Sequence, residues 1–228
     1  MKRLIATLLL IFWPGVMLSP AHAQRSVFFN MNVRPAATGS TQPCGGVQCT
    51  YAFPGSGVAL QNPPFTTVLG SMKEAGSATL INNTTTTSLA WYNANTSSFS
   101  ANQYSCLTVS FLASGNFLAS TVREDPTAQT AYVLFWDGTG IQLQKALAGS
   151  FSVLTSTSAP TVGHEVCLAA IGTSLTAYDN GTVITALSTT DSSITAAGAP
   201  GVGGFESGGG TSAMSFRAGN CGLTGAPC

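Results

Sequence analysis

Charge is what this chain has least of. Asp, Glu, Lys and Arg make up 7% of its 228 residues, eight of each sign, and the formal net charge is zero. A globular chain carries about 25%. Without a basic surplus the chain lacks the electrostatic footprint that nucleic-acid binding needs. Low charge together with 44% apolar residues excludes intrinsic disorder, which needs high net charge and low hydrophobicity. Long helical periods are missing as well: no segment repeats apolar residues at a 3.6-residue period for more than about two turns. No Gly-Lys pair occurs, which excludes a P-loop. No set of Cys and His pairs converges with zinc-ligand spacing. Ser and Thr are abundant, at 54 residues, with 25 Gly, a composition of strands and turns.

The one long apolar run is N-terminal. Lys2 and Arg3 precede the apolar stretch Leu4–Val16, and Ala21-His22-Ala23 is a small-x-small cleavage site, the pattern of a signal peptide over 1–23. Pro14 interrupts the run, which falls short of the ~20 apolar residues of a membrane span. Cleavage leaves 24–228 as a single exported domain without a membrane span, secreted or, as the alternative, periplasmic. Its six cysteines, Cys44, Cys49, Cys106, Cys167, Cys221 and Cys228, are an even number, as a disulfide framework requires. Cys44–Cys49 and Cys221–Cys228 each bracket a short Gly-containing loop, and Cys106 and Cys167 lie in strand-like runs. The spacing suggests the pairs 44–49, 106–167 and 221–228. The rival pairing joins the 44/49 loop to the 221/228 tail.

Short apolar runs recur roughly every 8–12 residues, the rhythm of an all-β sandwich or barrel. Ser26–Val33, Ala78–Ile81, Ser88–Tyr92, Cys106–Leu112, Asn116–Arg123, Ala131–Trp136, Ile141–Leu147, Ser152–Thr155, Glu165–Ile171, Ser174–Asp179, Thr182–Ala186 and Ala213–Ala218 read as strands. Asn180-Gly181 is the strongest hairpin signal, because a type I′ turn needs positive φ at both central residues. The glycine-rich stretch 201–210 reads as a loop. Alternation in Ala131–Trp136 separates Val133 and Phe135 from Tyr132, Leu134 and Trp136. The expected core is Phe111, Val133, Phe135, Leu168, Ile171, Leu175 and Phe216.

An ordered series of segments is more specific. Phe99-Ser-Ala-Asn-Gln-Tyr-Ser-Cys-Leu-Thr-Val109, Thr121-Val-Arg123, Ala131-Tyr-Val133, Gly172, Leu175-Thr-Ala-Tyr-Asp-Asn-Gly181, Asp191-Ser-Ser-Ile194 and Gly198-Ala-Pro-Gly-Val202 together resemble the concanavalin A-like lectin/glucanase superfamily. Within it they are similar to the laminin-G-like jelly-roll domains of secreted bacterial proteins, over about 62–220. The resemblance implies a two-sheet antiparallel β-sandwich with a concave face often used for glycans. It implies no particular activity, since fold and function separate.

Hydrolysis of glycans needs two carboxylates about 5–9.5 Å apart, and catalytic members of the superfamily carry a Glu-x-Asp-x-Glu strand that this chain lacks. Its acids, Glu74, Glu124, Asp125, Asp137, Glu165, Asp179, Asp191 and Glu206, are scattered. Lyase members use a Gln-x-His pair, and His164 has no such partner. Calcium needs six to eight oxygens; Asp137 and Asp179 are loop carboxylates of the right type, although both also suit turns. The favoured reading is therefore a non-catalytic, lectin-like module that binds an extracellular glycan or cell-surface polysaccharide. A structural or adhesive surface protein that binds another protein is the alternative, and a polysaccharide-cleaving hydrolase or lyase the third reading. The expected ligand contacts are Arg123, Tyr132 and Trp136. The two aromatics lie about 13 Å apart on one strand face, and Arg123 would supply planar donors to hydroxyls or a uronate. The competing reading of the aromatics is ordinary core packing.

Overall fold

Two antiparallel sheets account for nearly all the regular structure. The computed structural model describes residues 48–52, 65–69, 72–75, 79–82, 88–94, 99–112, 115–206, 211–223 and 226–228, with the backbone alone up to residue 94 and at 111, 206 and 211–214. The expected strand Ser26–Val33 and the pair Cys44–Cys49 lie outside that description. The first strands are β1 (Gln48–Ala52), β2 (Phe65–Leu69), β3 (Met72–Ala75), β4 (Thr79–Asn82) and β5 (Ser88–Ala94). Longer ones follow: β6 (Gln103–Leu112), β7 (Phe117–Asp125), β8 (Thr130–Trp136), β9 (Gly140–Leu147) and β10 (Ser150–Ser158). The last are β11 (Glu165–Ile171), β12 (Ser174–Asp179), β13 (Thr182–Val183), β14 (Thr189–Thr190), β15 (Ala199–Glu206) and β16 (Thr211–Asn220). A single 3₁₀ turn, Thr185–Leu187, is the one helical element among the described residues. None of their helices is long and apolar enough to cross a membrane.

The nine-stranded sheet runs β13-β12-β11-β6-β16-β4-β3, with β1 also on β16 and β14 on β12. The seven-stranded sheet runs β10-β9-β8-β7-β15-β5-β2. This is an all-β, two-sheet antiparallel sandwich. Asn180 and Gly181 hold φ values of 46° and 78°, so the expected hairpin closes between β12 and β13.

The glycine-rich stretch departs from expectation. Residues 199–206 form β15, an interior strand that pairs with β7 on one side and β5 on the other. Glycine weakens a strand locally, but two flanking ladders supply the backbone partners that its side chains do not. The strand that follows is likewise no edge: β16 pairs with β6, β4 and β1.

Between the sheets, Leu107, Val109, Val166, Leu168, Leu175 and Phe216 of the nine-stranded sheet meet Leu118, Val122, Tyr132, Leu134, Trp136, Ile141, Leu143 and Val202 of the other. Leu168, Leu175 and Phe216 are core as expected. Val133 and Phe135 are not in this layer: β8 presents Tyr132, Leu134 and Trp136 inward, and Val133 and Phe135 join a separate cluster on the opposite face. Ile171, at the end of β11, is 45% exposed. Only the backbone of Phe111 is described.

Cys106 and Cys167 face each other in register across β6 and β11 and are bonded, as are Cys221 and Cys228. The first bridge spans 61 residues, and closing a loop of that size stabilises by ~4 kcal/mol in the chain-entropy account. The second clips the C-terminal loop onto the outer face of the nine-stranded sheet, where Cys221, Ala226 and Cys228 pack on Tyr104, Ala169 and the first bridge.

Candidate functional site

The C-terminal loop occupies one outer face; the other belongs to the seven-stranded sheet. There Phe117 lies between two aromatic neighbours, 4.3 Å from Phe135 and 5.8 Å from Phe205 between ring centroids. Phe117, Ala119, Ala131 and Val133 are buried, and Phe135, Phe151 and Phe205 pack half-buried around them. Beside the aromatics, on β9, Gln144 Nε2 donates to Gln142 Oε1 at 2.8 Å. Gln142 pairs in register with Phe135, and Gln144 with Val133. Gly201 and Gly203 pair with Thr121 and Ala119, so the sheet carries no side chain at those two positions. Strand alternation thus produces a row of aromatic rings bordered by amides. Phe117 is 4% exposed and backs the row; the half-buried Phe135 and Phe205, with Gln142 and Gln144, are the parts that can meet apolar C–H faces and hydroxyls.

The three expected ligand contacts lie elsewhere. Arg123, Tyr132 and Trp136 are 1%, 0% and 3% exposed, so none of them meets a ligand arriving from solvent. Arg123 has φ 54° at an irregularity of the β7 ladder and turns its guanidinium inward. Its Nε donates to Ala101 O at 2.7 Å, Nη1 to Ile194 O at 2.6 Å and Nη2 to Gly172 O at 2.7 Å. Tyr132 OH donates to Asp191 Oδ1 at 2.7 Å and accepts from Ile194 N at 3.1 Å. Lys145 Nζ reaches Asp191 Oδ2 at 2.7 Å and Ser193 Oγ at 2.8 Å. Burial raises the Asp191 carboxyl, but hydrogen bonds from Lys145, Tyr132 and Ser193 outweigh it and hold the group well below its ordinary range. Burial, with the Asp191 contact, pushes the Tyr132 hydroxyl up to about 12. This polar network fastens the 191–198 loop to the end of the sandwich.

The calcium candidates do not converge. Asp137 Oδ1 accepts from Thr139 N, Thr139 Oγ1 and Gly140 N, closing the β8–β9 turn. Asp179 Oδ1 sits 2.7 Å from His164 Nδ1. Neither shares a cluster with two other acidic, histidine or cysteine ligands among the described residues; the one such group is Glu165 beside the Cys106–Cys167 bridge, whose sulfurs are bonded to each other.

The architecture has many counterparts among solved structures. The carbohydrate binding module CBM66 from Bacillus subtilis aligns with TM-score 0.50 at 17% identity, over 67% of this chain and 91% of that one. A β-1,3-1,4-glucanase (lichenase) from a mouse hindgut metagenome aligns with TM-score 0.55 at 8% identity, over 76% and 99%. The exoplasmic/lumenal domain of VIP36, in its Ca2+/Man3GlcNAc-bound form, aligns with TM-score 0.52 at 11% identity, over 72% and 86%. The fold is that of the concanavalin A-like lectins and glucanases. No protein-family model matches the sequence, and no curated protein does.

Beside the aromatic face of this concanavalin A-like sandwich lies a buried acid that sequence reasoning set aside. Glu124 is 6% exposed, and its hydrogen-bond partner is Thr121, whose Oγ1 donates to Oε2 at 2.8 Å. A Cβ at residue 198 would lie 2.6 Å from Arg123 C and 2.7 Å from Glu124 O, so only glycine lets the 198–199 backbone close over this corner. Burial pushes the Glu124 carboxyl up from 4.5 to about 7, against a smaller lowering by the Thr121 hydroxyl. The folded state therefore holds this proton more tightly than the unfolded chain. Its contribution to stability is full below about pH 4.5 and is lost as pH rises through about 7. The difference is on the order of 3 kcal/mol. Glu124→Gln keeps an acceptor for Thr121 and removes the titration. Denaturant unfolding between pH 4 and pH 8 should show wild type losing stability while the variant stays flat in that window. Identical pH slopes would place the ionisation elsewhere.

Proposed function

We propose that the protein is an exported, non-catalytic glycan-binding module whose ligand lies across the outer face of the seven-stranded sheet. The observation that carries this reading is the half-buried pair Phe135 and Phe205, backed by the buried Phe117 ring and flanked by the Gln142–Gln144 amide pair, on a sheet face that takes no part in the inter-sheet core. Sugar rings offer apolar C–H faces and a rim of hydroxyls, which match rings and amides respectively. The carbohydrate binding module and the Man3GlcNAc-bound VIP36 domain among the structural counterparts support the glycan class. The two disulfides and the N-terminal leader pattern support export, to the cell exterior or the periplasm. A neutral face suits an uncharged polysaccharide better than a uronate.

The test is binding by folded variants. Phe135→Ala and Gln144→Ala should each weaken retention of the recognised polysaccharide in affinity electrophoresis by about tenfold, ~1.4 kcal/mol. Ile171→Ala, exposed on the other sheet, should leave retention unchanged. Full retention by both face variants would sink the proposal.

One observation favours hydrolysis as a second reading: a carboxyl near 7, as at Glu124, is what a general acid needs. Among the described residues it has no second carboxylate as a hydrogen-bonded or charge partner. Reducing-sugar release that Glu124→Gln abolishes would establish that reading in place of simple binding.

A further inference from the structure

The two described disulfides lie against each other, one beneath the other. Cys106 and Cys167 are fully buried and pair in register across β6 and β11. Cys221 and Cys228 are half-buried and, with Ala226, pack on the cluster of Tyr104, Cys106, Cys167 and Ala169. The loop that the outer bridge closes is therefore a cover over the inner one. Cys221 N donates to Asn102 O at 2.9 Å, which anchors the start of that loop. Among the described residues, the backbone hydrogen bonds beyond it stay within the loop: Gly222 N donates to Cys228 O at 3.2 Å and Ala226 N to Leu223 O at 3.0 Å. The far end is held down by the Cys228 sulfur and by the apolar contacts of Ala226 and Cys228. The inner bridge joins strands that are each paired on both sides, β6 between β11 and β16, and β11 between β6 and β12. Lifting the loop is thus a local opening, whereas exposing the inner bridge by any other route disturbs the middle of a sheet.

We propose that the 221–228 loop is a redox-sensitive cover: a small thiol reduces Cys221–Cys228 first, and the Cys106–Cys167 bridge becomes reducible only after the loop has lifted. Exchange requires a thiolate to reach a disulfide sulfur, so access sets the order. With glutathione, one thiolate attacks Cys221 or Cys228 Sγ, the S–S bond breaks, and the other cysteine sulfur leaves as a thiolate. A second glutathione thiolate then displaces the protein sulfur from the mixed disulfide. Two glutathione thiols become one glutathione disulfide, and the two protons they give up pass to the cysteines. The cover lies on the nine-stranded sheet, away from the face proposed for glycans, and either assignment can fail without the other.

The test follows each cysteine of a chain of residues 24–228 by alkylation and peptide mapping during exposure to glutathione without denaturant. Cys221 and Cys228 should become alkylated at least about tenfold faster than Cys106 and Cys167. The double variant Cys221→Ala/Cys228→Ala removes the clip, so reduction of the inner bridge should accelerate by at least about tenfold. If far-ultraviolet dichroism shows that this variant does not fold, Ala226→Asp is read in its place. It keeps both bridges, sets a carboxylate between loop and sheet, and should give the same acceleration. An inner bridge reduced as fast as the outer one in the wild type, or at an unchanged rate in the folded variant, would overturn the proposal.

Discussion

Arg123→Ala is expected to cost at least about 4 kcal/mol, enough to lower the melting temperature by about ten degrees or more. The guanidinium is buried, and it satisfies carbonyls from three separate segments, at Ala101, Gly172 and Ile194. Its removal leaves those carbonyls without a donor inside the protein and frees the 191–198 loop at once. Gln103 shares the junction: its Oε1 accepts from Arg123 N at 3.0 Å and its Nε2 donates to Gly198 O at 3.0 Å. Lysine should rescue little, because a single ammonium on a flexible stem cannot reproduce a planar fork aimed in three directions. Thermal unfolding of Arg123→Ala and Arg123→Lys checks this. A loss under about 1 kcal/mol, the size of a surface change, would mean that water replaces the guanidinium without cost.

The second large effect is a contrast between neighbours. Trp136→Ala should lose about 3–5 kcal/mol, as expected for a large aromatic removed from a packed core. Phe135→Ala, half-buried on the outer face, should lose about 1–2 kcal/mol. Equilibrium urea unfolding of both, at one pH, gives the ratio. The reverse order would put Phe135 between the sheets and turn β8 over.

That facing shows what the sequence did and did not reveal. In Ala131–Trp136 every residue is apolar or aromatic, so alternation divides the strand into two faces without saying which is inside. The answer lay one strand further on. In β9, Ile141 and Leu143 alternate with Gln142 and Gln144, which is unambiguous. Across the Asp137–Thr139 turn Trp136 pairs with Ile141 and Leu134 with Leu143, so the amphipathic strand fixes its ambiguous partner. The Asn180-Gly181 hairpin and the Cys221–Cys228 clip were legible because each depends on local chemistry or short spacing, and Cys106–Cys167 because both cysteines lie in strand-like runs. β15 was not, because Gly-Val-Gly-Gly has little strand preference of its own and is held by partners distant in sequence. Arg123 was expected as a ligand contact, and its side chain is buried instead. Nothing in Thr-Val-Arg signals that a ladder irregularity with positive φ turns the side chain inward, and the three carbonyls it meets lie 22, 49 and 71 residues away.

The aromatic outer face emerges only from pairing. Phe117, Phe135 and Phe205 come from three strands that sit side by side in the order β8-β7-β15, although β7 and β15 lie far apart in the chain. Intermolecular NOEs between a polysaccharide and a chain of residues 24–228 test the proposed glycan face most directly. Contacts from sugar C–H protons to the rings of Phe135 and Phe205, with contacts from hydroxyl-bearing carbons to the Gln142 and Gln144 amides, are the expected result. Contacts confined to the nine-stranded sheet around Tyr178, or to the end loop around Lys145 and Ser193, would contradict it.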